Sequence, residues 1–275
     1  MNGSVNLSKE VETEMPATYA HYRFGASMLS KMPADVSRTA KRHRRMFDVG
    51  LHGPDLFFFY KPIRSTKIGR LGNKFHRQTG KEFFTRACRN LRIDPSEAGQ
   101  AYLYGVLCHF ALDSHCHPLV ERYSWEGIAS HPRVEAEFER FLLEADGKVP
   151  PSSVQLTKHL ALTAPECDIV SRFYPGTNAD HIWDSLKGMV NIHKAMELPE
   201  GILRTAVIKT MSVGSEVFRD MVIQSQPDPR CEALNEELLE QYEQAGKVFP
   251  DMLLQLGAHL TYNARLGEKF APMFG

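Results

Sequence analysis

Residues 102–121 read YLYGVLCHFALDSHCHPLVE, and this stretch decides the fold class. Its apolar residues recur at intervals of three and four, which is the period of an α-helix. The preceding segment DPSE at 94–97 is a typical helix start, with an N-cap residue, a proline at the first helical position and an acid in the first turn. Because proline disfavours helical conformation in the residue before it, the sequence predicts that this helix stops at Pro118.

The same period extends over most of the chain, and no run of β-branched residues alternates with polar ones as a strand would require. Irregular connections are expected at 60–73 and 119–130. The sequence predicts an all-α protein, a compact multi-helix domain over 15–275 with a flexible extension at 1–14. The further predicted helices are 16–32, 34–48, 75–91, 131–144, 152–163, 179–196, 200–213, 214–224, 229–245 and 250–270.

Composition excludes several classes of protein. The 275 residues include 43% hydrophobic residues and equal numbers of basic and acidic ones, 33 each, so the chain is globular rather than disordered. Its five cysteines form no CxxC pair, which favours a reducing compartment. The polar N-terminus lacks the features of a signal peptide, and no apolar stretch approaches the roughly 20 residues that cross a bilayer. We expect a cytoplasmic protein without a transmembrane segment.

Charge is unevenly distributed along the chain. Between Lys61 and Arg92 there are ten basic residues and one acid, Glu82. This segment could attract anions such as lipid headgroups, or it could be a solvated helical face that pairs with the acidic C-terminal half.

Histidines and carboxylates follow a helical spacing in two places. His109 and Asp113 lie four residues apart in the apolar helix, so their side chains share one face. Burying them is costly unless each is paired. His117 adds another step of four and is expected to project from the helix end, and His131 and Glu135 repeat the spacing further along. These residue types are suited to binding zinc.

Three more candidate ligands lie upstream. Asp55 stands in a Gly-Pro-Asp turn that opens the apolar run 56–60, and His21 and His76 are isolated histidines within predicted helices. Together the candidates suffice for two or three zinc ions, with Asp113 able to bridge, and the lack of cysteine at ligand spacing favours a catalytic site over a structural one. The candidate metal ligands are His21, Asp55, His76, His109, Asp113, His117, His131 and Glu135.

At these residues the chain resembles the bacterial zinc-dependent phospholipase C family, also known as the phospholipase C/D domain. The resemblance covers roughly residues 15–145 and implies an all-α fold that holds three zinc ions in a cleft. It also implies hydrolysis of a phosphodiester. The matching segments are PATYAHYRFG at 16–25, GPDLFFFY at 53–60, the single His76, HFALDSHCHP at 109–118 and HPRVE at 131–135.

The resemblance also implies how the ligands are divided among the ions. One zinc would be bound by Asp55, His76, His109 and Asp113, a second by His117, His131 and Glu135, and a third by His21 together with the bridging Asp113. In secreted members an N-terminal tryptophan completes the third site, and this chain has none there. If translation started at Met15, Pro16 would supply a free amine in its place.

A second departure concerns the step from Asp113 to His117, which is shorter than in the secreted enzymes. It leaves His115 as a rival ligand for His117.

The resemblance implies a phospholipase C-type reaction in which a zinc-activated water attacks phosphorus in line, with Asp55 as the catalytic base. The run 56–60 could contact a membrane surface or could simply belong to the core. Two alternatives remain open at this stage: a zinc-dependent single-strand nuclease or other phosphoesterase, for which the basic segment would follow the nucleic acid backbone, and a non-catalytic helical scaffold.

Overall fold

A computed structural model describes residues 17–62, 66–198, 201–211 and 217–274. Within these ranges the chain is helical, contains no strand and confirms the all-α prediction. A 3₁₀ helix at Gly53–Phe59 lies between α3 and α4. The α-helices are α1 (Thr18–Met28), α2 (Ala34–Arg42), α3 (Arg44–Gly50), α4 (Gly69–His76), α5 (Gly80–Ile93), α6 (Glu97–Trp125), α7 (His131–Ala145), α8 (Ala164–Ser171), α9 (Ala179–Met196), α10 (Ile202–Met211), α11 (Val217–Asp220) and α12 (Glu232–Tyr262).

Helix α6 is the centre of the fold, because its apolar residues point in all directions and must be covered on every side. Helices α1, α2, α3, α7 and α12 pack around it. The approach of α3 is especially close: a Cβ on Gly105 would lie 2.2 Å from the Phe47 carbonyl oxygen. The lack of a side chain at Gly105 lets the two backbones touch and fixes the loop after α3 against the middle of α6.

The starts of two central helices follow their sequence signals. The Ser96 hydroxyl accepts the Gly99 amide at 3.0 Å and caps α6, so Pro95 precedes the helix and does not occupy its first position as predicted. At α5, Thr79 and Glu82 form a reciprocal capping box. These caps satisfy amides that have no partner within the helix and set where each helix enters the core.

Prolines end fewer helices than predicted. Helix α6 continues through Pro118 to Trp125, and α12 passes through Pro250, so the predicted stop at Pro118 and the break near 245–250 are wrong, and of the irregular segment predicted at 119–130 only 126–130 is irregular. Each proline removes one backbone hydrogen bond. Burial of neighbours such as Val120 in α6 and Met252 in α12 outweighs that loss.

Other boundaries differ from the prediction for local reasons. The predicted helix 152–163 is wrong: after a short 3₁₀ turn at Pro151–Ser153 this segment is not helical, and Leu160 and Leu162 are both buried at a spacing of two. The next helix, α8, was not predicted. The predicted helix 34–48 is interrupted at His43, and α4 and α5 replace the single helix predicted at 75–91.

One hydrophobic core extends through the described residues, from Tyr19 in α1 to Phe274 near the end of the chain. The domain boundaries 15–275 stay a prediction, and the predicted extension 1–14 lies outside the described residues. Across the described ranges, no helix is both long enough and apolar enough to cross a bilayer.

Candidate metal centre

The fold brings the predicted ligands together around one face of α6. We name two groups: the first cluster is Asp55, His76, His109 and Asp113, and the second cluster is His117, His131 and Glu135. Within each group, one nitrogen or oxygen from every side chain lies within 4.8 Å of all the others, and every member is buried. His21, the eighth predicted ligand, lies beside Asp113 of the first cluster.

The first cluster joins three separate elements. His76, at the end of α4, points Nε2 at Asp55 Oδ1, 2.8 Å away in the 3₁₀ helix. Its Nδ1 donates to the Gly72 carbonyl at 2.8 Å, which fixes the ring and leaves Nε2 directed into the cluster. On α6, His109 lies between the two acids, with Nε2 3.0 Å from Asp113 Oδ2 and Nδ1 3.8 Å from Asp55 Oδ2.

A glycine with unusual backbone geometry makes this arrangement possible. Gly53, two residues before Asp55, has a φ of +44°, in the left-handed region that side chains rarely adopt. A Cβ at this position would lie 2.6 Å from His109 Cδ2. The chain therefore passes directly over the imidazole and places Asp55 beside it.

Asp113 connects the first cluster to the remaining ligands. Its Oδ2 faces His109, whereas its Oδ1 lies 3.2 Å from His21 Nε2 and 3.9 Å from His117 Nε2. Burial alone would raise the pKa of Asp113, but the surrounding imidazoles hold that pKa well below its usual range. The carboxylate therefore stays ionised, with its two oxygens directed at different histidines, as a bridging ligand requires.

The negative charge of Asp113 also changes the pKa of His21. Burial disfavours the imidazolium form, yet the negative charge of Asp113 raises the pKa of His21 to about 9. The rings of His21 and His109 lie side by side, with centroids 4.5 Å apart. In the metal-free chain the raised pKa therefore favours the protonated form of His21 at neutral pH.

The second cluster joins α6 to the first turn of α7. His131 Nε2 lies 3.3 Å from Glu135 Oε1, and His117 Nε2 approaches the same oxygen at 3.8 Å. Burial lowers the pKa of His117 to about 3 and raises the pKa of Glu135. His117 is therefore a neutral imidazole at physiological pH, which is the form that binds metal.

The continuation of α6 through Pro118 decides which of two histidines faces the centre. Because the helix is unbroken there, His109, Asp113 and His117 remain on one face at steps of four. His117 therefore lies in the cluster rather than projecting from a helix end. His115 is partly exposed, and its Nδ1 contacts the Ala111 carbonyl oxygen at 2.8 Å.

The donors fit a zinc centre in both chemistry and spacing. Four ligands at tetrahedral zinc, each 2.0–2.1 Å from the metal, lie about 3.3 Å from one another. The nitrogen–oxygen separations of 2.8, 3.0 and 3.3 Å within the clusters are close to this value.

Several buried polar atoms of the centre lack hydrogen bonds, as atoms reserved for a metal would. Neither ring nitrogen of His109 makes a hydrogen bond of good geometry with the described residues, although Nε2 lies 3.0 Å from Asp113 Oδ2, and Glu135 Oε2 has no hydrogen-bond partner there either. Unsatisfied polar atoms are costly to bury, and the lone pairs of these two side chains are available to a metal.

Open space borders the clusters on one side. A hollow bounded by His21, Asp113, His117 and Glu135 lies between them. A neighbouring cleft encloses about 470 Å³ including its mouth and touches the second cluster through Glu135. Its walls are largely apolar, with Val154, Leu156, Met196, Met221 and Ile223 among them.

Glu139 is a functional candidate that the sequence analysis missed. It lies in this cleft, and its carboxylate accepts the Tyr19 and Ala20 amides at the start of α1. Burial raises the pKa of Glu139 to about 8, so the group is mostly uncharged at neutral pH. The signal was present, because Glu139 continues the step of four that links His131 to Glu135.

A pair of histidines behind His21 was also missed. His52 Nε2 lies 2.8 Å from His159 Nε2, and the His52 ring packs edge-on against His21, with centroids 6.4 Å apart. Burial lowers the pKa of His52 well below its usual range and that of His159 to about 3. Both imidazoles are therefore uncharged and pack behind the candidate ligand His21. The sequence analysis missed them because no regular spacing relates residues 52 and 159.

The apolar run 56–60 is core. Leu56, Phe57 and Phe59 are fully buried, and Phe58 and Tyr60 nearly so. The interpretation of this run as a membrane contact is therefore wrong. In the basic segment, Lys81 pairs with Glu268 at 2.7 Å and Arg92 donates to the His259 carbonyl at 2.8 Å, so part of its charge serves to attach the C-terminal region.

Comparison with known protein families identifies one family that the chain matches. The model of the zinc dependent phospholipase C family matches residues 20–174, which is more than half of the chain. The chain belongs to this family. The match spans every residue of both clusters and His21. Searches of curated proteins and of solved structures found no significant match.

Proposed function

We propose that this protein hydrolyses phospholipids by phospholipase C-type cleavage, releasing the phosphorylated headgroup and leaving diacylglycerol. The family supports a zinc-dependent phosphodiester hydrolase in general. The observation that carries the finer assignment is the convergence of seven buried imidazoles and carboxylates on two clusters joined by Asp113, next to an apolar cleft.

Zinc bound at these residues would supply Lewis acidity, which activates water at neutral pH and neutralises charge on phosphoryl oxygens. The first cluster would hold one ion and the second cluster another. His21, with the Oδ1 side of Asp113, would contribute to a third. The possible contribution of Met15 or Pro16 to that third site lies outside the described residues.

Asp55 is the residue we assign as catalytic base. His76 holds its Oδ1 at 2.8 Å, while Oδ2 has only the longer 3.8 Å approach to His109. This asymmetry orients Oδ1 and leaves Oδ2 to accept a proton from the attacking water.

The apolar cleft supports a lipid substrate. Its apolar walls lie next to Glu135 of the second cluster and would face the glycerol and the first carbons of the acyl chains at its mouth. A nuclease would need exposed aromatic side chains on which bases stack, and the run at 56–60 is buried. Trp125, Trp183 and Tyr262 are exposed, but none of them lines the cleft beside the second cluster.

Metal analysis combined with a substrate panel tests the proposal. Purified protein should bind two or three zinc ions and hydrolyse phosphatidylcholine or phosphatidylinositol, but not single-stranded DNA. Preference for DNA would replace the lipid assignment by the nuclease. Less than one zinc per chain and no hydrolysis of a chromogenic phosphodiester would favour the scaffold.

Substitution of the proposed base tests the mechanism. Asp55→Asn should lower kcat by about a hundredfold to ten-thousandfold while keeping the fold and most of the zinc. Asp48→Asn is the matched control, because Asp48 is also buried and bonded, to Arg44 at 2.6 Å, away from the clusters. Unchanged kcat in Asp55→Asn would remove Asp55 from the proton transfer.

A further inference from the structure

Helix α10 presents an apolar face to solvent. Ile202 and Leu203 are 91% and 67% exposed, and Ala206, one turn beyond Ile202, is exposed as well. Single exposed apolar residues are ordinary, but here they are neighbours on one side of one helix. The opposite side is anchored, since the buried Arg204 donates through Nη2 to the Ile223 carbonyl at 2.8 Å.

This anchor ties α10 to the segment around Ile223, which lines the cleft, although no residue of α10 lines it directly. Ile223 and Met221 line the cleft whose far wall carries Glu135 of the second cluster. Helix α10 also packs against α9, and Met196 of α9 lines the same cleft. The exposed apolar face therefore belongs to a helix that packs on two of the segments that line the cleft.

The charge of α10 favours a lipid surface over a water-soluble partner of mixed charge. The segment 201–211 has no acidic residue, although Glu200 precedes it in the sequence, and because Arg204 is buried its exposed charge is that of Lys209. Lys209 is exposed and lies on the helix close to the line of Ile202 and Ala206. An apolar stripe flanked by a lysine is typical of helices that lie in the headgroup region of a membrane.

We propose that the face formed by Ile202, Leu203 and Ala206 docks on a phospholipid membrane and brings the cleft into contact with it. This inference rests on the proposed function, because a phospholipid substrate is presented at a membrane surface. The apolar side chains enter the headgroup layer, Lys209 faces lipid phosphate, and the lipid moves from the bilayer into the cleft beside Glu135.

Vesicle binding tests the docking face. The double variant Ile202→Ser with Leu203→Ser is compared with Leu254→Ser, a control at a residue of α12 that is 66% exposed. The probe is a vesicle of phosphatidylcholine with a minority of phosphatidylserine, and binding is measured by co-sedimentation in chelator to separate it from turnover. The double variant should bind on the order of tenfold more weakly, while Leu254→Ser binds as the wild type does.

Hydrolysis rates distinguish a loss of membrane docking from damage to the active site. The double variant should hydrolyse a monomeric short-chain phospholipid at the wild-type rate and vesicles more slowly, with an unchanged thermal unfolding midpoint. Equal vesicle binding by all three proteins would overturn the proposal. The proposal would also be overturned if, in the absence of lipid, the wild type were a dimer and the double variant a monomer. If the wild type cleaves no phospholipid but still binds vesicles through this face, the proposed function fails and the docking surface stands.

Discussion

The two clusters of the metal centre are built differently although they share α6. The first draws its donors from three elements, the 3₁₀ helix, α4 and α6, and its members are almost completely enclosed. The second uses only the far end of α6 and the first turn of α7, and its Glu135 also lines the cleft. One cluster is fixed by three elements of the fold, and the other borders the open cleft through Glu135.

We therefore expect the two clusters to differ in how tightly they bind zinc and in how openly they border the cleft. His76 contacts Asp55, and the backbone at Gly53 packs directly against His109. The first cluster is therefore organised before any ion binds. Preorganised donors lose little freedom on binding, and we therefore expect the first cluster to hold zinc more tightly. The second cluster should exchange its ion first when a chelator is added.

The substitution with the largest expected effect on zinc binding removes the carboxylate that joins the two clusters. Asp113→Asn takes one charge from the surroundings of His21, His109 and His117 together. Zinc affinity should fall about a hundredfold or more at both clusters, and hydrolysis should be lost with it. Zinc content after dialysis measures the effect.

His131→Asn serves as the comparison variant, because it should empty only the second cluster and leave zinc in the first. His115→Asn, a neighbouring partly exposed position on α6, should leave zinc content unchanged. A protein with Asp113→Asn that retains its full complement of zinc would show that the two clusters are independent.

A glycine substitution should reveal how rigidly the first cluster is built. Gly53→Ala forces a methyl group against His109 in a left-handed backbone conformation, and we expect it to lower the free energy of unfolding by about 2–5 kcal/mol. Gly127→Ala is the matched control, since Gly127 has a φ of +74° and a Cβ added there would meet no heavy atom within 4 Å. It should cost about 1–2 kcal/mol.

Urea unfolding of both glycine variants provides the measurement. Equal losses in the two proteins would mean that Gly53 is needed only for its backbone angle and that contact with His109 is unimportant.

The smallest expected effect concerns the proton on His21. Its pKa is raised from 6.5 to about 9 in the folded chain, so its stabilising contribution is fully present below pH 6.5 and is lost as the pH rises to 9. The metal-free protein should lose roughly 1–3 kcal/mol of stability across this interval. His21→Asn should flatten that decline, and His115→Asn should preserve it, as followed by urea unfolding in chelator. A decline of equal size in His21→Asn would assign it to another group.

The sequence predicted the helical fold and the grouping of the ligands by local spacing. Steps of four placed His109 with Asp113 and His131 with Glu135, because an unbroken helix leaves no other arrangement. The partnership of Asp55 with His76 came only from the family resemblance, since it joins two elements that no local period relates. Glu139 was overlooked although it followed the same step of four.

The errors arose where tertiary packing overrode a local preference. Pro118 and Pro250 lie inside long helices because buried neighbours compensate for one missing hydrogen bond each. The segment 152–163 contains leucines at a helical spacing, yet it lines the cleft in an irregular conformation. The burial of Phe58 and Tyr60 could not be read from the sequence, because an apolar run suits a core and a membrane contact equally.

Crystals of the zinc-loaded protein, measured on both sides of the zinc absorption edge, would test the central claim most directly. The account predicts one anomalous peak among Asp55, His76, His109 and Asp113, and another among His117, His131 and Glu135. Peaks confined to other parts of the surface, or no peak at either cluster at saturating zinc, would contradict it.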